Sequence, residues 1–492
     1  MNTETPENNT AITKEVTLMQ ILQAREDRVL KQHTLLAAYH CPIISFTMNI
    51  AGPIKVSPLI ERAFQEGLKA LDEQLPKGHV LFQDTEISVT GCQAMYAVDL
   101  DALRLKKICA DIEDATPLGR LFDMDVLDID GTKLDRETVG GHPRNCIVCS
   151  APGRGCAARR LHTVPQLQAA TRAIINDYFA IKDREQIASL AVQSLLDEVG
   201  TTPKPGLVDR RNNGSHRDMT LSTFHSSAKA LEPYFQECVK IGQEAGHLSQ
   251  EKGRVSPEDT FLLLRRAGIA AESTMYEATG GVNTHKGIIY TFGVLCGSLG
   301  RLWTPEYPIA ETQDILAECA RIVEQSVKTD FASMNNSNDS DSAKTKPSAN
   351  SLPIGDAPLS PPTAGQRLYQ ELGLTGIRGE VAAGLPSVTN IGLPALKEAL
   401  LSGQNLRDAG TVTLLHLIAH VKDTNLYHRG GKEGAAYAAD AAKALLEHTS
   451  RPSAQQIEAL DDAFIARNLS PGGCADLLAV TYFLYRFSEN QV

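Results

Sequence analysis

The 492-residue sequence has no apolar run suited to crossing a bilayer. A long uncharged stretch, Thr34–Ile54, is broken by His40, Pro42, Asn49 and Pro53, which excludes a membrane span. It lacks a basic, apolar, small-residue leader; "MNTETPENNTAITKE" reads as a polar, frayed start. It lacks excess positive charge: the net charge of −11 argues against a general nucleic-acid binder and leaves only local basic sites for phosphates. There is no G-x-x-x-x-G-K-[ST], which excludes a P-loop enzyme. There is no His-Asp dipeptide either, which weakens a helical metal phosphohydrolase reading. Ten cysteines without an export signal are expected as reduced thiols in a cytoplasm.

What is present is a soluble globular composition, 42% hydrophobic and 22% charged, on a chain too long for one core. Leu18, Ile21, Leu22, Val29 and Leu30 recur at helical spacing and predict an amphipathic first helix. "PIISFTMNIAGPIK" predicts a strand and a loop, and "PLIERAFQEGLKALDEQL" a helix begun by Pro58. Strands are expected near Val80–Phe82 and Ile87–Thr90, and "RLFDMDVLDIDGTKL" as a strand ending at the Asp130-Gly131 turn. From Thr163 the texture turns helical. Ile187, Leu190, Ala191, Leu195, Leu196 and Val199 share a side, and Glu433–Thr449 is alanine-rich. The expected fold class is therefore mixed: an N-terminal α+β domain at 1–175, then a larger, essentially all-α domain at 176–492. In Ser333–Thr363, Ser, Asn, Pro and Asp make up 19 of 31 residues, so this segment is expected to be disordered.

Residues two apart on a strand point the same way, so Asp123 and Asp125 share a face. Two adjacent carboxylates repel unless a cation neutralises them, and Mg²⁺ on nucleotide phosphates suits that need. Gly119 and Arg120 just before them suit an anion. A solvated strand face with chance Asp residues is the plainer reading, and the short motif alone favours it. "NCIVCSAPGRGCAARRLHT" holds Cys146, Cys149, Cys156 and His162, spaced as a tetrahedral zinc site could be. The sequence favours the alternative, a basic loop with Arg154, Arg159 and Arg160 that meets an acidic partner without metal.

Five polar, glycine-rich islands punctuate the helical region: "TTPKPGLVDRRNNGSHRDM", "TGGVNTHKG", "GIRGE", "HLIAHVKDTNLYHRGG" and "RNLSPGGCADLL". Glycine lets backbone N–H groups approach phosphate, and a following helix N-terminus adds a positive dipole end. Lys204, Arg210, Arg211, Lys286, Arg378 and Arg429 are candidate polyphosphate ligands, with Asn212, Gly280 and Gly281 beside them. Asp209, Asp218, Asp423 and Asp476 are candidates for Mg²⁺ or for a base. His416, His420 and Asp423 lie on one helical face as candidate metal ligands. Each candidate has a plainer reading: Ser215 and Asp218 as a capping box, Ser470 as a cap, Gly430 as a helix end, His416, His420 and Asp423 as satisfied buried polar groups, Lys204 as half of a surface ion pair with Glu198 or Asp209. An all-helical fold has no structural need for five such islands.

Residues near 15–170, through "SFTMNIAGPIK", "GRLFDMDV" and "NCIVC…CAARRLHT", resemble apo-citrate lyase phosphoribosyl-dephospho-CoA transferase, the citrate lyase holo-acyl-carrier-protein synthase. Residues near 185–492, through all five islands, resemble triphosphoribosyl-dephospho-CoA synthase. The resemblance implies a bifunctional fusion and places Ser333–Thr363 as an insertion inside the synthase. It implies that ATP and 3′-dephospho-CoA join with loss of adenine, by a single displacement at C1 of the ATP ribose. The phosphoribosyl-dephospho-CoA unit then passes to a serine of the citrate lyase acyl carrier protein with loss of pyrophosphate. It implies ATP-side roles for Lys204, Arg210 and Arg211, transfer at Asp123, Asp125 and Arg120 with Mg²⁺, and carrier docking at Arg154, Arg159 and Arg160. No nucleic-acid or membrane partner is expected, from the net charge and the lack of an apolar span. The alternative is a D-x-D nucleotidyltransferase with a helical nucleotide-binding regulatory module.

Overall fold

The computed structural model describes residues 14–246, 255–306, 310–336, 364–449 and 451–489. The polar start at 1–13 lies outside them. The chain divides into two compact units, Met1–Lys182 with Pro305–Pro308, and Asp183–Thr304 with Ile309–Val492.

The first unit is built on a five-stranded antiparallel sheet in the order β2-β3-β1-β4-β5. Its strands are β1 (Ile43–Met48), β2 (Val80–Ser88), β3 (Gly91–Val98), β4 (Phe122–Leu127) and β5 (Lys133–Leu134). The expected pieces near residue 80 and residue 87 are one strand, β2, and its hairpin partner β3 was not foreseen. Alternation splits the sheet into two faces. Phe46 on one face stacks on Phe64 at 4.7 Å and meets the edge of Phe122 at 5.4 Å. Helices α2 (Pro58–Gln74) and α3 (Ala102–Ala115) belong to the same unit; Ser57 caps the first, with Pro58 at its start, and Asp101 the second.

Helix α1 (Leu18–Tyr39) begins with a capping box between Thr17 and Gln20. It lies over the opposite face, where Leu35 and Leu36 meet Ile43 and Met95. Its expected apolar stripe is not the buried one: Leu18, Leu22, Val29 and Leu30 are exposed. The sheet face beneath its first half is polar. Arg28 donates to Gln93 and Lys31 pairs with Asp84, so charged side chains take the inward positions.

Backbone groups of β4 that no strand reaches are satisfied from α3. The buried Lys106 donates to the Met124 carbonyl at 3.0 Å, and buried Glu113 accepts from the Met124 N–H at 2.8 Å. These bonds fix the strand that carries Asp123 and Asp125.

After the short α4 (Gly153–Arg159), helix α5 (Val164–Gly200) runs for 37 residues, and the division between the units falls within it. The second unit is helical: α6 (Leu221–Ala230), α7 (Glu232–Gly246), α8 (Pro257–Thr279), α9 (Lys286–Leu302), α10 (Thr312–Asn336), α11 (Ala364–Leu372), α12 (Gly376–Ala382), α13 (Leu393–Leu401), α14 (Leu406–His420), α15 (Thr424–His448), α16 (Ala454–Ala466) and α17 (Gly472–Glu489). Helices α9 and α17 are buried along most of their length and form the centre of one continuous core. Helices α7 and α9 touch backbone to backbone. A Cβ on Gly242 would lie 2.1 Å from the Gly297 carbonyl, and one on Gly300 2.1 Å from that of Val239.

Helix α10 includes Ser333–Asn336, the first residues of the segment expected to be disordered; 337–363 lie outside the described residues. Phe331 and Tyr369, on either side of it, stack at 4.3 Å. The expected helix end at Gly430 falls one residue later, where α15 bends at Gly431 with φ 63°.

Candidate functional site

In the first unit, Asp123 and Asp125 lie on the polar sheet face, opposite Thr47 and Ser45 on β1. Lys133 on β5 pairs with Asp125 at 2.6 Å. Loss of hydration and then repulsion from Asp125 raise the Asp123 carboxyl above its ordinary range, with Lys133, Arg144 and Lys106 pulling the other way. Both carboxylates also act on Arg28, whose pKa burial lowers. The two carboxylates are a hard oxygen donor set of the kind that suits a divalent cation.

Arg120 is elsewhere. It lines a cavity of about 790 Å³ with Arg136, Arg144, Arg160 and Asn49, and neither Asp123 nor Asp125 is part of that lining. Its guanidinium donates to the Asn145 carbonyl. Arg144 donates to the Phe122 carbonyl at 2.6 Å and pairs with Glu113, which ties the cavity wall to β4. Four arginines in one concavity suit a multiply charged anion. Arg159 is exposed outside the lining, and the Arg154 side chain is outside the described residues. Cys146, Cys149, Cys156 and His162 come together, with all four potential ligand atoms within 4.8 Å of one another.

In the second unit all five islands contribute to a single cavity of about 860 Å³. The loop from Thr201 to Met219 has two halves. Its outer half is a knot. Asp209 accepts from the N–H groups of Lys204, Arg211 and Asn212 at 2.9, 2.7 and 3.1 Å. Buried Asp461 accepts from the Gly206 N–H at 2.8 Å, from Arg211 at 2.5 Å and from Asn212 at 2.8 Å. Arg211 also reaches Asp462, and Arg210 is exposed; neither arginine lines the cavity. Asp209, Asn212 and Asp218 are not in the lining either.

The inner half of the loop supplies Lys204, Leu207, Val208, His216 and Met219 to the cavity. Lys204 is 1% exposed and holds Glu198 at 2.5 Å, a buried pair rather than a surface one. His216 bridges Arg429 and Ser470, its Nδ1 3.2 Å from the guanidinium and its Nε2 2.9 Å from Ser470 Oγ. Arginine only donates, so Nδ1 accepts and Nε2–H donates to the hydroxyl. Burial, then the Arg429 charge, lower the His216 pKa to about 4. His285 contacts Ser227 Oγ at 2.7 Å and the edge of Phe224, and burial lowers its pKa to about 3. Both rings are neutral near pH 7.

Four carboxylates line the cavity, Glu198, Glu380, Asp423 and Asp476, and Glu380 is engaged by the Ser387 N–H and hydroxyl. Asp423 caps α15 through the Asn425 and Leu426 N–H groups and accepts from Cys474 N–H at the start of α17 at 2.8 Å. It lies between two helices rather than on a face with His416 and His420, which end α14. Asp476 sits against the first turn of α9: a Cβ on Gly287 would lie 2.1 Å from its Oδ2, so only glycine leaves room. Desolvation, then Glu198 and Asp423, raise the Asp476 pKa well above the ordinary carboxylate value. Glu198 is raised mainly by burial.

Lys286 lines the cavity and pairs with Glu272 at 2.9 Å. Arg378 instead pairs with Asp330, and Gly280 and Gly281 end α8 with positive φ; none of the three is in the lining. Ser215 donates to the Leu469 carbonyl and Thr220 caps α6, so the Ser215–Asp218 capping box does not form. His216, His285 and Asp461 were missed as site or scaffold residues, and Glu198, expected only as a surface partner of Lys204, is its buried partner in the cavity wall.

The family model for CitX, apo-citrate lyase phosphoribosyl-dephospho-CoA transferase, matches residues 16–178, and that for CitG, ATP:dephospho-CoA triphosphoribosyl transferase, matches 184–492. The chain is 32% identical to Protein CitXG of Haemophilus influenzae, covering 96% of this chain and 97% of that one. It is 31% identical to Protein CitXG of Leuconostoc mesenteroides subsp. cremoris, over 95% and 97%. Over 65% of this chain it is 38% identical to the 2-(5''-triphosphoribosyl)-3'-dephosphocoenzyme-A synthase of Pectobacterium atrosepticum, 95% of which is covered. With a sheet-bearing unit that carries the D-x-D pair followed by a helical unit whose islands enclose one cavity, the chain belongs to the CitXG family, in which a CitX-type domain precedes a CitG-type domain.

Proposed function

We propose that the helical cavity joins ATP to 3′-dephospho-CoA and that the D-x-D face and arginine-lined cavity carry the transfer to the citrate lyase acyl carrier protein. The chain is a bifunctional transferase of citrate lyase prosthetic-group synthesis. The observation that supports the site assignment is the convergence of five separated islands on one cavity that holds cations and carboxylates together.

In the synthase step the 2′-hydroxyl of dephospho-CoA attacks C1 of the ATP ribose, the C1–N bond breaks and adenine leaves. Lys204, Lys286 and Arg429 face the triphosphate. Asp476, which lines the cavity with its carboxylate against the first turn of α9, takes the hydroxyl proton, and its surroundings favour the protonated form that results. Asp423 has its lone pairs engaged by three N–H groups and orients the two helix starts. In the transfer step a carrier serine attacks the α-phosphorus and pyrophosphate leaves. Asp123 and Asp125 would hold Mg²⁺, which supplies charge neutralisation at the phosphates. The arginines at 120, 136, 144 and 160 accept the departing pyrophosphate. Ten free thiols support a reducing, cytoplasmic setting.

Two isosteric variants test both assignments at once. Asp476→Asn is expected to slow adenine release at least about a hundredfold, the span of general-base catalysis, and leave carrier labelling from pre-made triphosphoribosyl-dephospho-CoA intact. Asp123→Asn is expected to do the reverse. Wild-type adenine release from Asp476→Asn overturns the assignment of the base. Absence of adenine release from the wild type leaves the helical unit a binding module.

A further inference from the structure

The segment between β5 and α5 has a defined fold without a core. Among residues 141–163 whose side chains are described, Cys156 alone is buried. Something other than apolar burial must hold it, as in small domains that rely on metals or cross-links.

Its backbone forms a tight knuckle. Cys146 N–H donates to the Ala151 carbonyl at 2.7 Å, Ser150 N–H to the Cys146 carbonyl at 3.0 Å, and Gly153 N–H to the Arg144 carbonyl at 3.0 Å. Ser150 takes the left-handed conformation, φ 59°. This turn puts Cys146 and Cys149 side by side and aims the Val148 N–H at Cys146 Sγ, 3.4 Å away. Helix α4 then brings in Cys156, and the Leu161 N–H closes back on the Cys156 carbonyl at 3.1 Å. Cys149 Sγ ends 3.4 Å from Cys156 Sγ and 3.2 Å from His162 Nε2. None of the three cysteines is in a disulfide. Zinc–sulfur bonds of about 2.3 Å imply tetrahedral sulfur–sulfur edges of about 3.8 Å, so little adjustment is needed.

We propose that Cys146, Cys149, Cys156 and His162 form a closed, structural zinc site. Three thiolates and one imidazole select a soft tetrahedral cation over Mg²⁺ or Ca²⁺, and four protein ligands leave no position for substrate. The site staples the knuckle that carries Arg144, and through Arg144 the start of β4; Arg160 lies in the same stapled stretch. Zinc thereby fixes the arginine wall without entering the chemistry.

The test is metal analysis of the untagged full chain, purified under reducing conditions without chelator. One zinc per chain is expected. Replacement by Co²⁺ is expected to give the strong visible and thiolate-to-metal absorption of a tetrahedral site. Cys149→Ser is expected to weaken zinc by more than the roughly tenfold to hundredfold that loss of an outer partner of a zinc ligand costs. His162→Cys, which keeps four ligands, is expected to retain it. Adenine release, which uses the other unit, serves as the folding control. A reduced wild-type chain that neither carries zinc nor takes up Co²⁺ with a tetrahedral spectrum sinks the proposal. So does a full equivalent of zinc in both Cys149→Ser and His162→Ala.

Discussion

Lys204 shows what burial does to a single charge. Its ammonium is enclosed with Glu198, and a buried pair with one partner removed is costlier than no pair at all. Lys204→Ala is therefore expected to lower stability by about 3–5 kcal/mol and adenine release by at least about tenfold, or ~1.4 kcal/mol of transition-state stabilisation. Lys204→Ala with Glu198→Gln is expected to regain most of the stability in a denaturant melt but not the adenine release. Recovery of both would make the pair purely structural. His285 carries a separate, pH-dependent term. Its folded pKa of about 3 lies below the ordinary 6.5, so between those values the unfolded chain binds more protons and stability falls as pH falls. The raised carboxyls of Glu198, Asp423 and Asp476 act with the opposite sign, so a comparison is needed to isolate the histidine. From pH 6.5 to 5, the wild type is expected to lose about 2 kcal/mol relative to His285→Asn. Parallel stability curves for the two proteins would contradict this.

At the scale of the element, α9 places its first turn against Asp476 only because residue 287 has no side chain. Gly287→Ala suits helix propensity, since no positive φ is required there. The added methyl must push the Asp476 carboxylate aside. The expected result is an unchanged or raised melting temperature with adenine release reduced about tenfold or more, as a 1 Å misplacement can cost. Unchanged release would show that the carboxylate's position is not critical. The same scale explains the first helix. Periodicity in Leu18, Leu22, Val29 and Leu30 correctly predicted helix, yet the buried side is set by the polar sheet face below it, a partner that no local window contains.

Across the whole molecule, the segment 337–363 divides a unit whose flanking parts already meet through Phe331 and Tyr369. Loop-closure entropy changes slowly with length. Replacing most of 337–363 with a short flexible joint is expected to leave both activities and shift stability by about 1 kcal/mol or less. Loss of soluble, active protein on that deletion would mean that the segment packs against the rest of the chain.

The change of texture from mixed strand and helix to helix alone, the D-x-D strand and the five islands were all legible in the sequence. Each depends on local pattern: alternation at period two, apolar recurrence near 3.6, and clusters of glycine, proline and polar residues that cannot build a core. Which members of an island face the cavity was not legible. Arg211 points to Asp461, 250 positions away in the chain, while Lys204, seven residues earlier, points inward to Glu198. Arg120 and the carboxylates three and five residues on were separated in the same way, one to a cavity wall and the others to a sheet face. Local sequence carries the propensity of a segment and the chemistry of its side chains. The direction of each charge was decided by partners distant in sequence, because a buried charge takes the arrangement that leaves the fewest groups unpaired.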